Sequence, residues 1–203
     1  MRLVILSDTH GRHRRIDVPA GDALVHAGDF SPWIGTLKEL SDFNDFLGGL
    51  PHRHKIVIAG NHDFCFQRAN RVARAVLTNA HYLEDESFEA WGLKFYGSPW
   101  QPRFLNLAFN LPRGEPLREK WALIPPDTDV LVTHGPPHGI GDQRFYGHHV
   151  GCEELLIRVR HIKPRVHIFG HVHEARGRFD IGDTIFINAS SDCNGREPFV
   201  LEL

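Results

Sequence analysis

The sequence predicts an α/β chain, a mixed β-sheet sandwich covered by helices, and three observations carry that reading. Short runs of continuous apolar, β-forming residues recur along its length. Stripes of helical period lie between several of them. Five of the runs end directly at a compact polar motif.

In chain order, residues 3–6 and 23–26 are the first two strands, their largely apolar runs suggesting burial on both faces. Leu37, Leu40, Phe43 and Leu47 then recur at helical spacing until Gly48-Gly49-Leu50-Pro51 stops the helix. Residues 55–59 form a third strand, and 66–78 a less regular helix. From Tyr82 onward the pattern is of short strands at 87–91 and 93–96, with Gly92 supplying a hairpin turn. The stretch 98–116 holds four prolines and several aromatics without a period, so it reads as a long ordered loop near the site edge. Strands follow at 129–133 and 166–169, separated by a stripe of Cys152, Leu155, Leu156 and Val159 with Glu154 and Arg158 paired on the outer face. Residues 179–181, 184–188 and 199–203 complete the strands, with Gly182-Asp183 as a turn.

At 203 residues, one domain spanning 1–203 accommodates all of these elements. Lys plus Arg number 23 and Asp plus Glu 25, a net charge of −2, so there is no overall positive field and no long nucleic acid is expected as a partner. Cys65, Cys152 and Cys193 are odd in number and far apart, which disfavours a disulfide framework and suits a reducing compartment. Asp8 arrives too early for a signal peptide, and no stretch approaches ~18 apolar residues. The expectation is a cytoplasmic protein with no membrane partner, its oligomeric state left open.

The five motifs are Asp8-Thr9-His10, Gly28-Asp29, Gly60-Asn61-His62-Asp63, Thr133-His134-Gly135 and Gly170-His171-Val172-His173. Side chains alternate along a strand, so Asp8 and His10 are expected on one side of an extended chain, and His171 and His173 likewise. The glycine before Asp29 lets backbone approach closely and leaves both carboxylate oxygens free to bridge a pair of ions. Asn61 adds a neutral oxygen and His134 another nitrogen. Each motif alone is weak, since Asp-x-His arises by chance and Asn-His-Asp is ordinary turn chemistry. Five in order, each closing an apolar strand, supply what two adjacent divalent metals need to activate a water against phosphorus.

With these motifs the sequence resembles the calcineurin-like metallophosphoesterase superfamily over almost its whole length. Ser7-Asp8-Thr9-His10-Gly11, Val25-His26-Ala27-Gly28-Asp29-Phe30, the stretch from Lys94 to Trp100, Thr133-His134-Gly135-Pro136-Pro137 and Ile187-Asn188-Ala189-Ser190 resemble more closely the small subfamily of metallophosphoesterase domain-containing proteins. The resemblance implies the four-layer metallophosphoesterase fold: two mixed sheets face to face, flanked by helices, with metals at strand ends on one edge. It places Asp8, His10, Asp29 and His173 on one metal and Asp29, Asn61, His134 and His171 on the other. His62 would stand over the phosphate, with Asp63 holding its ring, and Asp29 would bridge. Some subfamily members carry Gly where this chain has His171, so catalytic competence is expected here.

The expected reaction is attack by a hydroxide shared between two metals on a small phosphodiester, a cyclic nucleotide such as a 2′,3′-cyclic one being the first choice of substrate. A phosphomonoesterase or phosphoprotein phosphatase is the alternative, followed by a non-enzymatic protein-binding scaffold. The mixed oxygen and nitrogen ligands admit Mn²⁺, Zn²⁺ or iron, Mn²⁺ being the first choice. Arg12 is a candidate phosphate contact or else part of a solvated basic loop. Trp100, Phe104 and Phe109 would either stack on a nucleobase or anchor their loop to the core. His26 and His167, inside buried strands, read as hydrogen-bonded core histidines, while His138, His148 and His149 have no assigned role.

Overall fold

Strand β1 (Arg2–Leu6) sets the layering, because its buried side chains alternate between two cores. Leu3 and Ile5 enter one hydrophobic cluster, Val4 and Leu6 another. The computed structural model describes residues 1–191 and 197–203. Cys193 therefore lies outside the described residues, whereas Cys65 and Cys152 are buried free thiols.

The N-terminal half supplies β2 (Ala23–His26), α1 (Leu37–Gly48), β3 (His54–Val57), α2 (Phe64–Val76) and β4 (His81–Tyr82). Next come β5 (Glu86–Ala90), β6 (Leu93–Ser98), the two-residue strands β7 (Gln101–Pro102) and β8 (Asn110–Leu111), then α3 (Glu115–Ala122) and β9 (Val130–Thr133). The chain finishes with α4 (Glu153–Ile162), β10 (Val166–Phe169), β11 (Gly177–Ile181), β12 (Thr184–Asn188) and β13 (Phe199–Glu202). One sheet runs β13-β1-β2-β3-β4 and the other β11-β12-β10-β9-β6-β5. Both are mixed: β1 to β4 are parallel with β13 antiparallel to β1, while β6, β9, β10 and β12 are parallel between antiparallel β5 and β11.

The sheets meet through Ile5, Val25, Ile56, Phe95, Val132 and Ile168. On the outer side of the first sheet, Leu24 and Val57 pack with Leu40, Phe43 and Phe66 of the first two helices. On the outer side of the second, Leu131 and Phe169 pack with Leu117 and Trp121 of α3 and Leu155 and Val159 of α4. The result is a helix–sheet–sheet–helix stack of four layers, in which strands covered on both faces are apolar except where a polar side chain such as His26 or His167 finds a hydrogen-bond partner. That is why the parallel strands carry no alternation.

The boundaries of α1 follow from a capping box: Thr36 accepts from the Glu39 amide while the Glu39 carboxylate accepts from the Thr36 amide. The α2 helix breaks at Ala69 (φ −142°, ψ 47°), which explains its irregular period. Two elements differ from the sequence expectation. The two-residue strand β4 is too short to carry a pattern. The expected loop over 98–116 ends at Gly114, whose φ of 88° turns the chain into α3. With only Leu117 and Trp121 facing inward, an eight-residue helix shows one i,i+4 pair and no stripe. Nor do Glu154 and Arg158 pair: Glu154 accepts from the Gly114 amide (2.6 Å), and Arg158 donates to the Ile124 carbonyl. Both thus tie α4 to the segment around α3.

Candidate metal centre

The polar motifs gather at one edge of the stack, at the C-terminal ends of parallel strands from both sheets. Asp8 and His10 follow β1, Asp29 follows β2, and Asn61 and His62 follow β3. The second sheet contributes His134 after β9 and His171 and His173 after β10. Alternation along an extended strand does not bring them together. Asp8, His10, Asp29 and His171 have φ of 55°, 43°, 57° and 68°, in the left-handed region, so each chain segment turns into the site as its strand ends. His173 begins a 3-10 turn. Gly28 (φ 94°) and Gly60 let the crossing segments touch; a Cβ on Gly28 would lie 2.6 Å from the Gly60 nitrogen.

Asp29 is central. Its Oδ2 lies 3.4 Å from His134 Nε2, 3.9 Å from His62 Nε2 and 4.0 Å from His10 Nε2, while Oδ1 accepts from the His62 amide (2.8 Å). His173 Nε2 is 3.2 Å from Asp8 Oδ1 and 3.4 Å from His10 Nε2. Asn61 Oδ1 sits 3.0 Å from His134 Nε2, and its buried Nδ2 has no hydrogen-bond partner among the described residues. The His171 ring packs edge-on against those of His134 and Phe104, at 5.1 and 5.5 Å between centroids.

Three rings are fixed from behind. The Nδ1 atoms of His10, His62 and His134 lie 3.2, 2.9 and 2.9 Å from the carbonyls of Ser31, Trp33 and Ala27. Each Nδ1–H donates to its carbonyl, which turns Nε2 toward the cleft. Asp8 is held by Ser190 Oγ (2.9 Å) and the His171 amide (3.0 Å), both donating to Oδ2.

Electrostatics point the same way. Burial opposes the charge on Asp8, yet the His173 hydrogen bond and neighbouring imidazoles hold its carboxyl well below the usual range. Burial likewise opposes Asp29, but His134 brings it down to about 2. Burial also disfavours a charged His134, and Asp29 and Asp8 override it, raising the ring to about 9. For His171, burial and the neighbouring His134 outweigh the pull of Asp29 and Asp8 and push the ring down to about 3. The buried carboxylates therefore require positive charge beside them. Three ligand groups have atoms within 4.8 Å of one another: Asp8, His10 and His173; His10, Asp29 and His62; Asp8, Asp29 and His134. Lone-pair atoms this close, with Asp29 facing two clusters, are compatible with a pair of divalent cations.

The chain matches the family described as calcineurin-like phosphoesterase over residues 1–175. This chain belongs to that family. Human metallophosphoesterase domain-containing protein 1 is 44% identical, the alignment covering 93% of this chain and 65% of the human protein. A UPF0046 protein of Caenorhabditis elegans is 40% identical, over 100% of this chain and 60% of the worm protein. The chain thus spans somewhat under two thirds of these relatives. A solved structure described as a novel archaeal phosphodiesterase has the same fold, with a TM-score of 0.53 and 20% identity over 100% of this chain and 93% of that one.

Within this calcineurin-like phosphoesterase site, several expected contacts fall elsewhere. The Asp63 carboxylate does not hold the His62 ring, which is bound to the Trp33 carbonyl. It accepts instead from the amides of Asp29 (2.8 Å), Gly60 (2.8 Å) and Ser31 (3.1 Å), pinning the second and third motifs to each other. Burial and the nearby Asp29 charge raise the Asp63 carboxyl, against the pull of those amides. Arg12 is exposed and outside the cleft wall; beside it, Arg14 and the buried His13 both engage Asp42. Trp100 donates to Asp85 (2.9 Å), packs on Phe109 and carries Lys120 over its ring, so it anchors its loop to the core. Phe104 does line the cleft, which has a volume of about 740 Å³.

His26 and His167 are core histidines as expected, bonded to Thr9 and Thr133 and pushed by burial to about 3. Cleft residues that the sequence left unmarked include Arg103, Arg113, Arg144, Phe145 and Glu174. Only the adjacency of Glu174 to the fifth motif could have flagged one of them.

Proposed function

We propose that the protein is a dinuclear-metal-dependent phosphodiesterase acting in the cytoplasm on a small diester, of which a 2′,3′-cyclic nucleotide is the first candidate. The observation that carries this reading is the Asp29 carboxylate, which faces two clusters of ligand atoms at once. Asp8, His10, Asp29 and His173 would hold one ion, and Asp29, Asn61, His134 and His171 the other. Two such cations, for which Mn²⁺ is the first choice, would supply Lewis acidity and lower the pKa of a water near neutral pH.

The chain's own residues do the rest. The carbonyls of Ser31 and Ala27 hold the His10 and His134 imidazoles with Nε2 toward the cleft, so these ligand atoms are arranged before substrate arrives, and the Trp33 carbonyl fixes the His62 ring. His62, half-buried beside Asp29 with its Nδ1–H on the Trp33 carbonyl, would act as the imidazolium, carrying a second proton on Nε2 that offsets charge on the phosphoryl group and passes to the departing oxygen. Phe104, Phe145, Val150 and Val172 give the cleft apolar lining, which suits an esterified organic group more than a second free phosphate oxygen.

Arg103 and Arg144 also line the cleft and favour the second reading, a phosphomonoesterase, in which they would meet a dianion. The test is to strip the protein, reload it with Mn²⁺, Zn²⁺ or Fe²⁺ singly, and compare bis(p-nitrophenyl) phosphate, p-nitrophenyl phosphate and 2′,3′-cyclic AMP. Metal-restored turnover favouring the diesters is expected. Preference for the monoester would install the second reading, and no metal-dependent turnover of any of them would refute both.

A further inference from the structure

The rim of the cleft is made of apolar side chains that contribute nothing to the core. Among the described residues five large aromatic side chains are exposed, and four of them stand at the cleft: Phe104 and Phe145 line it, Tyr146 follows Phe145, and the Trp33 ring lies 6.4 Å from that of the lining residue His62. Ile34 and Leu105 stand beside them on the same loops. Trp33 is 76% exposed, Phe145 70%, Leu105 69% and Tyr146 98%. Single exposed apolar residues are ordinary; a ring of them around one opening marks an interaction site.

Two of these residues add a second anomaly. Leu105 and Tyr146 have φ of 52° and 69°, in the left-handed region where bulky L-residues are rare and Asn or Gly is at ease. At both tips the backbone is strained and the side chain that imposes the strain gains no burial. Neither choice helps the fold, so the cause lies outside it.

We propose that this rim docks the protein on a lipid surface bearing anionic headgroups, presenting phosphodiester headgroups to the cleft. Side chains that jut singly from three separate loops suit insertion into a fluid interface, whereas a protein partner needs a continuous, well-packed patch. Ile34 and Leu105 offer nothing to a nucleobase but suit acyl chains, and tryptophan and tyrosine favour the membrane–water boundary. Arg103 and Arg144, interleaved with the aromatics, match the anionic headgroups. No helix among the described residues is long and apolar enough to cross a membrane, and peripheral docking requires none. The consequence for catalysis rests on the phosphodiesterase reading; the docking itself does not.

The experiment is co-sedimentation of the metal-loaded protein with phosphatidylcholine vesicles and with equimolar phosphatidylcholine and phosphatidylglycerol. Trp33→Ser, Leu105→Asn and Tyr146→Asn are compared with Ile157→Ser, which removes an exposed apolar side chain from the outer face of α4. The expected result is binding to the anionic vesicles, weakened about tenfold by each rim substitution and unaffected by Ile157→Ser. Melting temperatures for Leu105→Asn and Tyr146→Asn should equal or exceed the parent, which separates lost docking from lost folding. Absence of vesicle binding, binding indifferent to the rim, or rim-dependent binding to a single-stranded oligonucleotide in place of vesicles would overturn the proposal. Sedimentation needs no turnover, so this outcome is independent of whether the phosphodiester assay succeeds.

Discussion

Replacing Asp63 with alanine isolates what a buried carboxylate does at this site without touching a proposed metal ligand. Its two oxygens accept from three backbone amides, those of Asp29, Gly60 and Ser31, at 2.8, 2.8 and 3.1 Å, and the residue is fully buried. Alanine would leave three buried N–H groups without an acceptor, at about 1–3 kcal/mol each. Allowing for partial relaxation and water entry, the loss is about 3–5 kcal/mol, which for a chain of this size lowers the melting temperature by ~6–20 °C. Asparagine keeps one carbonyl oxygen for the two amides now on Oδ2 but turns an NH₂ toward Ser31, so its loss is about 1–3 kcal/mol.

The assay is thermal unfolding of the metal-free protein, followed by calorimetric titration with Mn²⁺. Metal affinity should fall along with stability, because the loops carrying Asp29 and Asn61 are no longer pinned to each other. A metal-free Asp63→Ala protein melting within about 2 °C of the parent would refute the reasoning, since that shift corresponds to less than one lost hydrogen bond.

Three further expectations can be checked directly. His62→Ala should retain its full metal content by elemental analysis while turnover falls about 10²–10³-fold, the range for losing one oxyanion donor. Gly60→Ala would drive a Cβ into the Asp29 carboxylate and close to the His134 ring, so metal affinity should collapse in calorimetry. His167 is held neutral by burial with a folded value of about 3, while the unfolded chain takes up its proton near pH 6.5. Its share of the stability is present above pH 6.5 and is lost by about 1.4 kcal/mol per unit as pH falls toward 3, so His167→Leu should flatten the acid limb of a denaturation-midpoint profile.

The five motif-bearing strands were legible because strands buried on both faces leave an unmistakable apolar run, and the polar residues that follow stand out against it. The helices α1 and α4 were legible from stripes facing a single sheet. What escaped had no such contrast. The two residues of β4 and the single inward pair of α3 are below the length at which a period exists. The convergence of Asp8 with His173 and of Asp29 with His134 was implied by the family resemblance, but the means was not: alternation suggested extended chain, and the segments instead turn through positive φ. Asp63 does not hold the His62 ring as the resemblance implied, because its oxygens serve amides 32 and 34 residues away in sequence, contacts that no local pattern announces. Trp33 holds His62 through its main-chain carbonyl, an interaction that no side-chain pattern could announce.

The distribution of site residues between the two sheets makes the centre a gauge of their registration. Asp29 and Asn61 ride on one sheet and His134 on the other, yet Asn61 Oδ1 and His134 Nε2 lie 3.0 Å apart. A slip of one ångström across the apolar interface of Ile5, Ile56, Val132 and Ile168 would spread the ligand atoms beyond the tolerance of any divalent ion. Residues far from the cleft therefore belong to its alignment, and an ion gripping both sides would act as a rivet through the sandwich. Trimming a methyl group at Ile168 and withdrawing the ion loosen the same joint from opposite ends.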